Sequence, residues 1–286
     1  MNNWRVYGIL LVFALVFTAS CENSDDDTDL DNNLALPPYE SMVIDFGDFA
    51  DNSNAGKSTA LVYDNKEPNG NWVFSRLVVG VWNTALFTSL AVPVASFKSS
   101  FAHSPVDLGD NLWQWTYSVD GFTSEYTARL TGEVTGEEVL WNMYITKVGI
   151  GAFGEFLWFS GSSNMDGNSG HWILNESPEK PLAMLRIDWE RSNDEIGNIK
   201  YTWVRELDEQ ENDDLFKDSY LEYGLQDGPL NSYFDAHAYD ENTEVFSDIR
   251  IEWSRDTYLG RVRAADYFQD EEWHCWDANG DDVQCE

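Results

Sequence analysis

The histidines, serines and carboxylates of the chain give no strong enzyme signature. The four histidines, His103, His171, His237 and His274, lie far apart, and none has the H-x-x-x-H spacing that brings two imidazoles together on a helix. Gly161-Ser162-Ser163 lacks the G-x-S-x-G pattern of a nucleophile elbow. A glycosidase would need two carboxyls roughly 5–10 Å apart. Among the 51 acidic residues, Asp188 and Glu252 are distinguished only by their equivalent positions in an internal repeat. We therefore expect no catalytic residues.

A partial calcium pattern lies near the end of the chain. Asp277, Asn279 and Asp281 alternate like the first ligands of a calcium loop, but the glycine falls at position 280 and no twelfth-position glutamate follows. A turn rich in Asn, Gly and Asp forms without a metal. We expect an ordinary hairpin tip, with Ca²⁺ at these three residues as the alternative and no other cofactor.

Tryptophan is unusually abundant, with 13 residues. Most are explained by core filling, because aromatic side chains bury large areas. Exposed tryptophans could instead stack on sugar rings or line an apolar pocket. The candidates for such ligand contacts are Trp113, Trp115, Trp158, Trp172, Trp189 and Trp253.

The first twenty residues have the features of a signal peptide. Arg5 precedes an apolar run from Tyr7 to Phe17, which is too short to span a membrane comfortably. Ala19-Ser20-Cys21 resembles the bacterial lipobox, although Thr18 stands where that family usually has leucine. The resemblance implies that Cys21 is lipidated and anchors the protein to a membrane. Several lipid chains give stable membrane binding, whereas a single chain gives only marginal binding. An ordinary secretory signal is the alternative.

An acidic segment follows Cys21 and predicts a solvated tether over residues 21–38. It contains six acidic residues and no aromatic one before Asn33, so it cannot bury enough apolar surface to fold. Ser24-Asp25-Asp26-Asp27 resembles the export signal of Bacteroidota (flavobacterial) surface lipoproteins. That resemblance implies an outer-membrane location facing the cell exterior; a periplasmic acidic linker is the alternative.

The formal charge of −34, from 51 acidic and 17 basic residues, excludes nucleic acid as an expected partner because phosphate backbones are repelled. If Cys21 carries lipid, Cys275 and Cys285 remain as a pair in an oxidising compartment. They lie symmetrically about Gly280, so a disulfide across a short bulged hairpin is expected.

Residues 72–97 carry a single charge, Arg76, and lack the period-two alternation of a half-buried strand. This pattern predicts a buried apolar helix near residues 72–92, ending near Pro93 because proline disfavours helical geometry in the preceding residue. The β-branched residues Val78, Val79 and Val81 leave two buried strands as the alternative. A short strand is expected over residues 41–46.

From Leu112 onward, alternating runs separated by turn signals predict an antiparallel up-and-down meander of about 11–13 strands. Such a meander forms a barrel or half-barrel, so residues 39–286 are expected to be a single mainly β domain with an N-terminal helix. The pattern loosely resembles lipocalin-like barrels and periplasmic lipoprotein carriers, but no motif of those families matches.

The internal repeat pairs Arg186–Arg191 with Arg250–Arg255. In both copies, alternation places isoleucine and tryptophan on one face and the first arginine and an acidic residue on the other. We expect the first face to be core and the second a charge ladder facing water. The alternative is a pair of ligand-contacting strands.

Three functions are compatible with these features. The first is a non-catalytic, lipid-anchored surface protein that binds a hydrophobic or glycan ligand. The second is an accessory lipoprotein that docks on an outer-membrane partner through its acidic face. The third and least supported is a polysaccharide hydrolase. The first two differ in whether the helix at 72–92 fills the barrel or leaves an open pocket lined by tryptophan.

Overall fold

The alternating pattern of the sequence folds as a β-meander in the computed structural model, which describes residues 34–43, 70–120, 124–193, 195–208 and 210–285, without the side chains at positions 85, 87–89, 119 and 120. All of these described residues belong to one compact unit. The predicted signal peptide, Cys21, and Ser24 to Asp27 lie outside the described residues.

The described residues contain fourteen strands in a single antiparallel sheet, ordered as in the sequence. In chain order the strands are β1 Val106–Gly109, β2 Leu112–Asp120, β3 Ser124–Thr135, β4 Glu138–Gly149, β5 Phe153–Asn164, β6 Ser169–Asn175, β7 Ala183–Ser192, β8 Glu195–Trp203, β9 Tyr220–Leu225, β10 Ser232–Asp240, β11 Val245–Trp253, β12 Gly260–Arg263, β13 His274–Trp276 and β14 Asp282–Val283. A 3₁₀ helix, Tyr39–Met42, and two α-helices, α1 Asn71–Ser100 and α2 Ala265–Phe268, complete the fold.

Within the described residues the sheet is open, so the half-barrel form of the predicted meander is the correct one. Its two edges are β1 and β14, which contain four and two residues. Strands this short offer few unpaired backbone groups to another chain. The sequence pattern did not predict β1, which is too short to show alternation, and it indicated β14 only through the hairpin expected about Gly280.

Alternate residues of each strand face inward and form the core. On β7, Leu185, Ile187 and Trp189 are buried. In the second copy of the repeat, Ile251 and Trp253 are buried in the same way. The first face of the repeat is therefore core, as predicted, and each such side chain contributes about 1.5–3 kcal/mol through burial.

The other face of the repeat carries a charge ladder. Arg186 donates to Asp188 within β7, and Arg250 bonds Asp235 on β10 and Glu252 on its own strand. Of these, the Arg250–Asp235 pair joins two strands, and such cross-strand pairs stabilise a sheet by about 0.2–1 kcal/mol each. The repeat thus serves the sheet through core packing on one face and ion pairs on the other.

Five glycines inside strands lie opposite aromatic residues, and the ring occupies the space a Cβ would need. The pairs are Gly132–Trp141, Gly161–Trp172, Gly170–Trp189, Gly224–Tyr233 and Gly260–Trp276, and each is a direct register pair. A Cβ added at Gly260 would lie 2.0 Å from the Trp276 ring. Glycine lets these large rings lie flat on the neighbouring strand, which is the close approach glycine permits in strands.

Helix α1 is longer than predicted and continues through Pro93 to Ser100. Proline removes one backbone hydrogen bond and costs about 3 kcal/mol inside a helix. The two turns that follow offset this cost because Ser96, Phe97 and Ser100 are at most 1% exposed. The prediction that the helix ends near Pro93 was therefore wrong: tertiary packing outweighs the local preference.

The two ends of α1 attach to opposite ends of the sheet. At its start, the Asn71 amide donates to Asp282 Oδ1 (2.7 Å) on β14. Near its end, Tyr117 on β2 donates to the carbonyl of Ser96. The described helical side chains are not buried all round, and Val81 is 56% exposed. The helix therefore lies across the concave side of the sheet, over a length of about 45 Å.

The short strand that the sequence predicted before the helix also needs correction. The expected strand over residues 41–46 is replaced, in its described part, by the 3₁₀ helix Tyr39–Met42, whose Ser41 accepts a hydrogen bond from the Trp172 indole (3.0 Å). The helix is favoured because it turns Ser41 and Met42 into the core, where both are buried.

The predicted disulfide is present, with Cys275 and Cys285 Cα atoms 5.3 Å apart. The hairpin register differs from the expected one, since Cys275 lies opposite Val283. The bond therefore joins diagonal positions and ties the chain beyond β14 to β13. A loop this short contributes about 2–3 kcal/mol.

Replacing Gly260 by alanine tests the glycine–aromatic pairs. The Trp276 indole is fixed by a hydrogen bond to the Tyr258 carbonyl (3.0 Å), so it cannot move aside freely. We expect Gly260→Ala to lower the free energy of unfolding by about 2–3 kcal/mol. The measurement is urea denaturation followed by tryptophan fluorescence.

The matched control is Gly154→Ala on β5, where an added Cβ meets nothing within 4 Å. This change should leave stability within about 0.5 kcal/mol of the original protein. Equal effects of the two substitutions would show that ring packing over Gly260 does not matter.

Candidate functional site

A half-open cavity of about 450 Å³ lies between the middle of α1 and the ends of β7–β10 that adjoin the β8–β9 loop. Its walls come from the helix, from these strands and from the β8–β9 loop, residues 204–219. The lining residues are mainly apolar or aromatic: Trp82, Leu86, Met184, Leu185, Tyr201, Trp203, Arg205, Phe216, Ser219, Tyr220, Leu221, His237, Ala238 and Tyr239.

The sequence of β10 helps to explain why the described side chains leave this space. The inward positions of β10 are Phe234, Ala236 and Ala238, so bulk decreases toward the cavity. Leu221 on β9 pairs with Ala236 in the sheet register. Since α1 is held at the two ends of the sheet, its middle spans β7–β10, and small side chains there leave a gap.

Two of the polar groups on the cavity wall bond other parts of the protein. The Tyr201 hydroxyl donates to the Met42 carbonyl (3.0 Å), and the Trp203 indole donates to Asp214 Oδ2 (3.0 Å). These bonds satisfy buried donors that would otherwise be costly. Elsewhere the wall presents mainly hydrocarbon and ring faces, and Ser219, Tyr220, His237 and Tyr239 contribute its other polar atoms.

Asp214 fastens the β8–β9 loop that forms one wall. Its side chain is 1% exposed and pairs with Arg205, while its second oxygen accepts the Phe216 amide (2.9 Å). Burial opposes ionisation of Asp214, but hydrogen bonds from Trp203, Arg205 and Phe216 outweigh it and lower the pKa of Asp214. A carboxylate held by three donors fixes Phe216 at the cavity.

The cavity has the form of a small-molecule binding site. Such sites are concave, mostly apolar and about 300–1,000 Å³ in volume, with few polar groups. The lining contains one lysine or arginine among its described residues, Arg205, and that side chain is bound to Asp214 and Glu176. The arrangement suits binding of an apolar molecule.

The six tryptophans proposed as ligand contacts lie elsewhere. Four are core residues at most 3% exposed: Trp115, Trp172, Trp189 and Trp253. The other two, Trp113 and Trp158, are partly buried and pack against the same core. Of the described residues that line the cavity, none is one of these six. Core filling therefore accounts for the positions of these six tryptophans.

The Asp277, Asn279 and Asp281 turn has a local explanation. Asp277 Oδ1 accepts the backbone amides of Asn279 (2.8 Å) and Asp281 (3.0 Å), and these bonds lower the pKa of Asp277. Across the described ranges, no three His, Cys, Asp or Glu side chains converge as a metal ion requires. Calcium binding at this turn stays a prediction.

The two carboxylates singled out by the repeat do not form a catalytic pair. Asp188 is on β7 and Glu252 on β11, so four strand spacings separate them, about 19 Å along the sheet. This exceeds the separation that glycosidases use. Glu252 is also bonded by Arg261 (2.8 Å).

Ser162 does not lie on a nucleophile elbow. It is inside the extended strand β5, with its hydroxyl 3.4 Å from His171 Nδ1. Asp188 is the register partner of His171, but Arg186 holds both oxygens of that carboxylate. Ser162, His171 and Asp188 therefore have the residue types of a hydrolytic triad, but the strand-to-helix turn that exposes a nucleophilic serine is not found at Ser162.

Little in the sequence indicates that the residues lining the cavity have a functional role. Trp82 is in an apolar run that any buried helix would show. Asp214 is one of many acidic residues between positions 206 and 218, so nothing marks it as the buried one. The most useful signal was Trp203-Val204-Arg205, where a strand ends with an aromatic and a cation beside a long acidic loop.

None of the described helices combines the length and apolar content needed to cross a membrane.

Replacing Asp214 by asparagine should loosen the β8–β9 loop. The change removes the charge that Arg205 pairs with in a buried setting, so we expect the free energy of unfolding to fall by about 2–3 kcal/mol. Asp213→Asn, an exposed neighbouring carboxylate, is the matched control and should have little effect. Equal stabilities of the two variants in urea denaturation would contradict the proposed role of Asp214.

The effect of Asp214 should depend on pH in a defined direction. Because its folded-state pKa is lowered, its contribution is complete above the unfolded value of about 3.9 and is lost as the pH falls through the folded value. The stability difference between the original protein and Asp214→Asn should therefore be constant from about pH 5 to 8 and shrink below about pH 4. A difference that grows on acidification would contradict this assignment.

Comparison with known proteins adds no family to this picture. No protein-family model, curated protein or solved structure matches the chain. What the protein binds is therefore inferred from the lining of its own cavity.

Proposed function

We propose that this protein is a non-catalytic binding protein that holds a small hydrophobic molecule between α1 and strands β7–β10. The observation that carries the proposal is the apolar cavity of about 450 Å³ at that position. Burial of apolar ligand surface there would supply about 25 cal/mol per Å² before the costs of association. An accessory role would gain support if α1 filled the concave side of the sheet, and the cavity argues against that arrangement.

A hydrophobic ligand fits the cavity better than a glycan. Sugar hydroxyls need several hydrogen-bonding partners when they leave water. The Trp203 indole and the Arg205 guanidinium already bond within the protein, and the predicted sugar-stacking tryptophans are mainly in the core. An apolar chain or ring makes no such demand.

We further propose that the protein is anchored to the outer membrane through lipid on Cys21 and faces the cell exterior, with an outer-membrane protein as a potential docking partner. The lipobox-like Ala19-Ser20-Cys21 sequence and the Ser24–Asp27 segment support this proposal. The charge of −34 supports the exclusion of nucleic acid as a partner. A tethered binding domain of this kind would present its cavity to molecules outside the cell.

A substitution that fills the cavity tests the binding function. Ala238 faces the cavity from β10, so Ala238→Trp should lower the affinity for the neutral probe N-phenyl-1-naphthylamine at least about tenfold, a loss of about 1.4 kcal/mol. The measurement is probe fluorescence on titration, with circular dichroism to confirm folding.

The control for this test is Ala278→Trp, an exposed position in the C-terminal turn. It should bind the probe as the original protein does. Probe binding that is unchanged in Ala238→Trp, or absent from the original protein, would refute the proposed site.

A separate substitution tests the anchor. Cys21→Ala should move the protein from the detergent phase to the aqueous phase in Triton X-114 partitioning after expression in a flavobacterial host, because the lipid attachment site is lost. Replacing Asp25, Asp26 and Asp27 by alanine should retain detergent partitioning but protect the protein from protease added to whole cells. Unchanged partitioning of Cys21→Ala would contradict lipidation.

A further inference from the structure

The charges beside the cavity form a balanced cluster. Arg205 bonds Asp214 and lies 3.3 Å from Glu176 Oε1. Lys180 lies 3.5 Å from Glu176 Oε2 and also donates to the Asp208 carbonyl (3.2 Å). Two cations therefore face two carboxylates, and the cluster offers no excess positive charge to an incoming anion.

The geometry of this cluster limits what the head group of a ligand can be. A carboxylate entering the cavity would lose water, and a buried charge is costly unless it is paired and hydrogen-bonded. Arg205, the one lysine or arginine of the described lining, could serve it only by giving up Asp214, which would in turn leave a buried carboxylate without its partner. The other basic side chain of the lining, His237, is held by Asp248 through Nδ1 (2.6 Å). An uncharged head group carries neither cost.

The charge of the whole chain acts in the same direction. At −34, the protein repels anions at long range, but salt screens this repulsion beyond about 10 Å at 0.1 M ionic strength. The local cluster is screened much less because Asp214 is buried. Salt therefore separates the two effects experimentally.

We infer that the cavity selects uncharged amphiphiles over anionic ones of the same chain length, so that its ligands are of the fatty-alcohol or neutral-lipid class rather than free fatty acids. This inference rests on the proposed function and adds to it the charge of the ligand.

A matched pair of ligands tests the inference. Dodecan-1-ol and dodecanoate differ in the head group, and each is used to displace N-phenyl-1-naphthylamine from the full mature chain at pH 7.5, below its aggregation concentration. We expect dodecanol to bind at least about tenfold more tightly than dodecanoate, in both 20 mM and 500 mM NaCl. A preference that vanishes in 500 mM NaCl would overturn the inference, because long-range repulsion would then explain it.

Two variants locate the cause of the preference. Glu176→Gln removes one carboxylate from the cluster and should narrow the ratio of the two affinities about fivefold by favouring dodecanoate. Glu179→Gln makes the same charge change at an exposed position in the same turn and should leave the ratio unchanged. Equal ratios in both variants would exclude the cluster as the cause.

Two other outcomes distinguish failure of the charge preference from failure of the proposed binding function. Equal or tighter binding of dodecanoate would overturn the charge preference and leave hydrophobic binding in place. Failure of both ligands to displace bound probe would overturn the inference and the proposed function together.

Discussion

The attachment of α1 to both ends of an open sheet is the constraint on which the rest of this structure depends. An open meander exposes an apolar concave face, which must be covered. The hydrogen bonds of Asn71 with Asp282 and of Tyr117 with Ser96 place one helix across that face. Because the helix is fixed at its ends, its contact with the middle strands is determined by the side chains found there. Small residues on β10 leave the cavity.

Glycine–aromatic pairs make the rest of the concave face solid. Where Trp141, Trp172, Trp189 and Trp276 lie flat over glycines of neighbouring strands, the sheet presents broad ring faces that the helix and the 3₁₀ segment can pack against. Phe97 meets Trp172 edge-on, with ring centroids 5.3 Å apart. The tryptophan content is thus mainly a consequence of closing a wide half-barrel with one helix, while the cavity uses different aromatic residues.

Much of the fold followed from local pattern, whereas the site did not. Twelve strands and the helix are visible in the sequence because alternation and apolar runs reflect burial directly. The end of α1 was misjudged because proline acts locally, while burial of Phe97 is a tertiary effect. The residues that line the cavity were not predicted for the same reason: Trp82, Leu221 and Ala238 meet only in three dimensions. Asp214 differs from its acidic neighbours only in being buried.

The central claim is that an apolar molecule enters the space between the middle of α1 and strands β7–β10. The most direct measurement is a crystal structure of the protein with 12-bromododecan-1-ol, read from the anomalous signal of bromine. We predict a bromine peak inside the cavity bounded by Trp82, Leu221 and Ala238. A helix packed directly onto these strands, with no bromine between them, would contradict it.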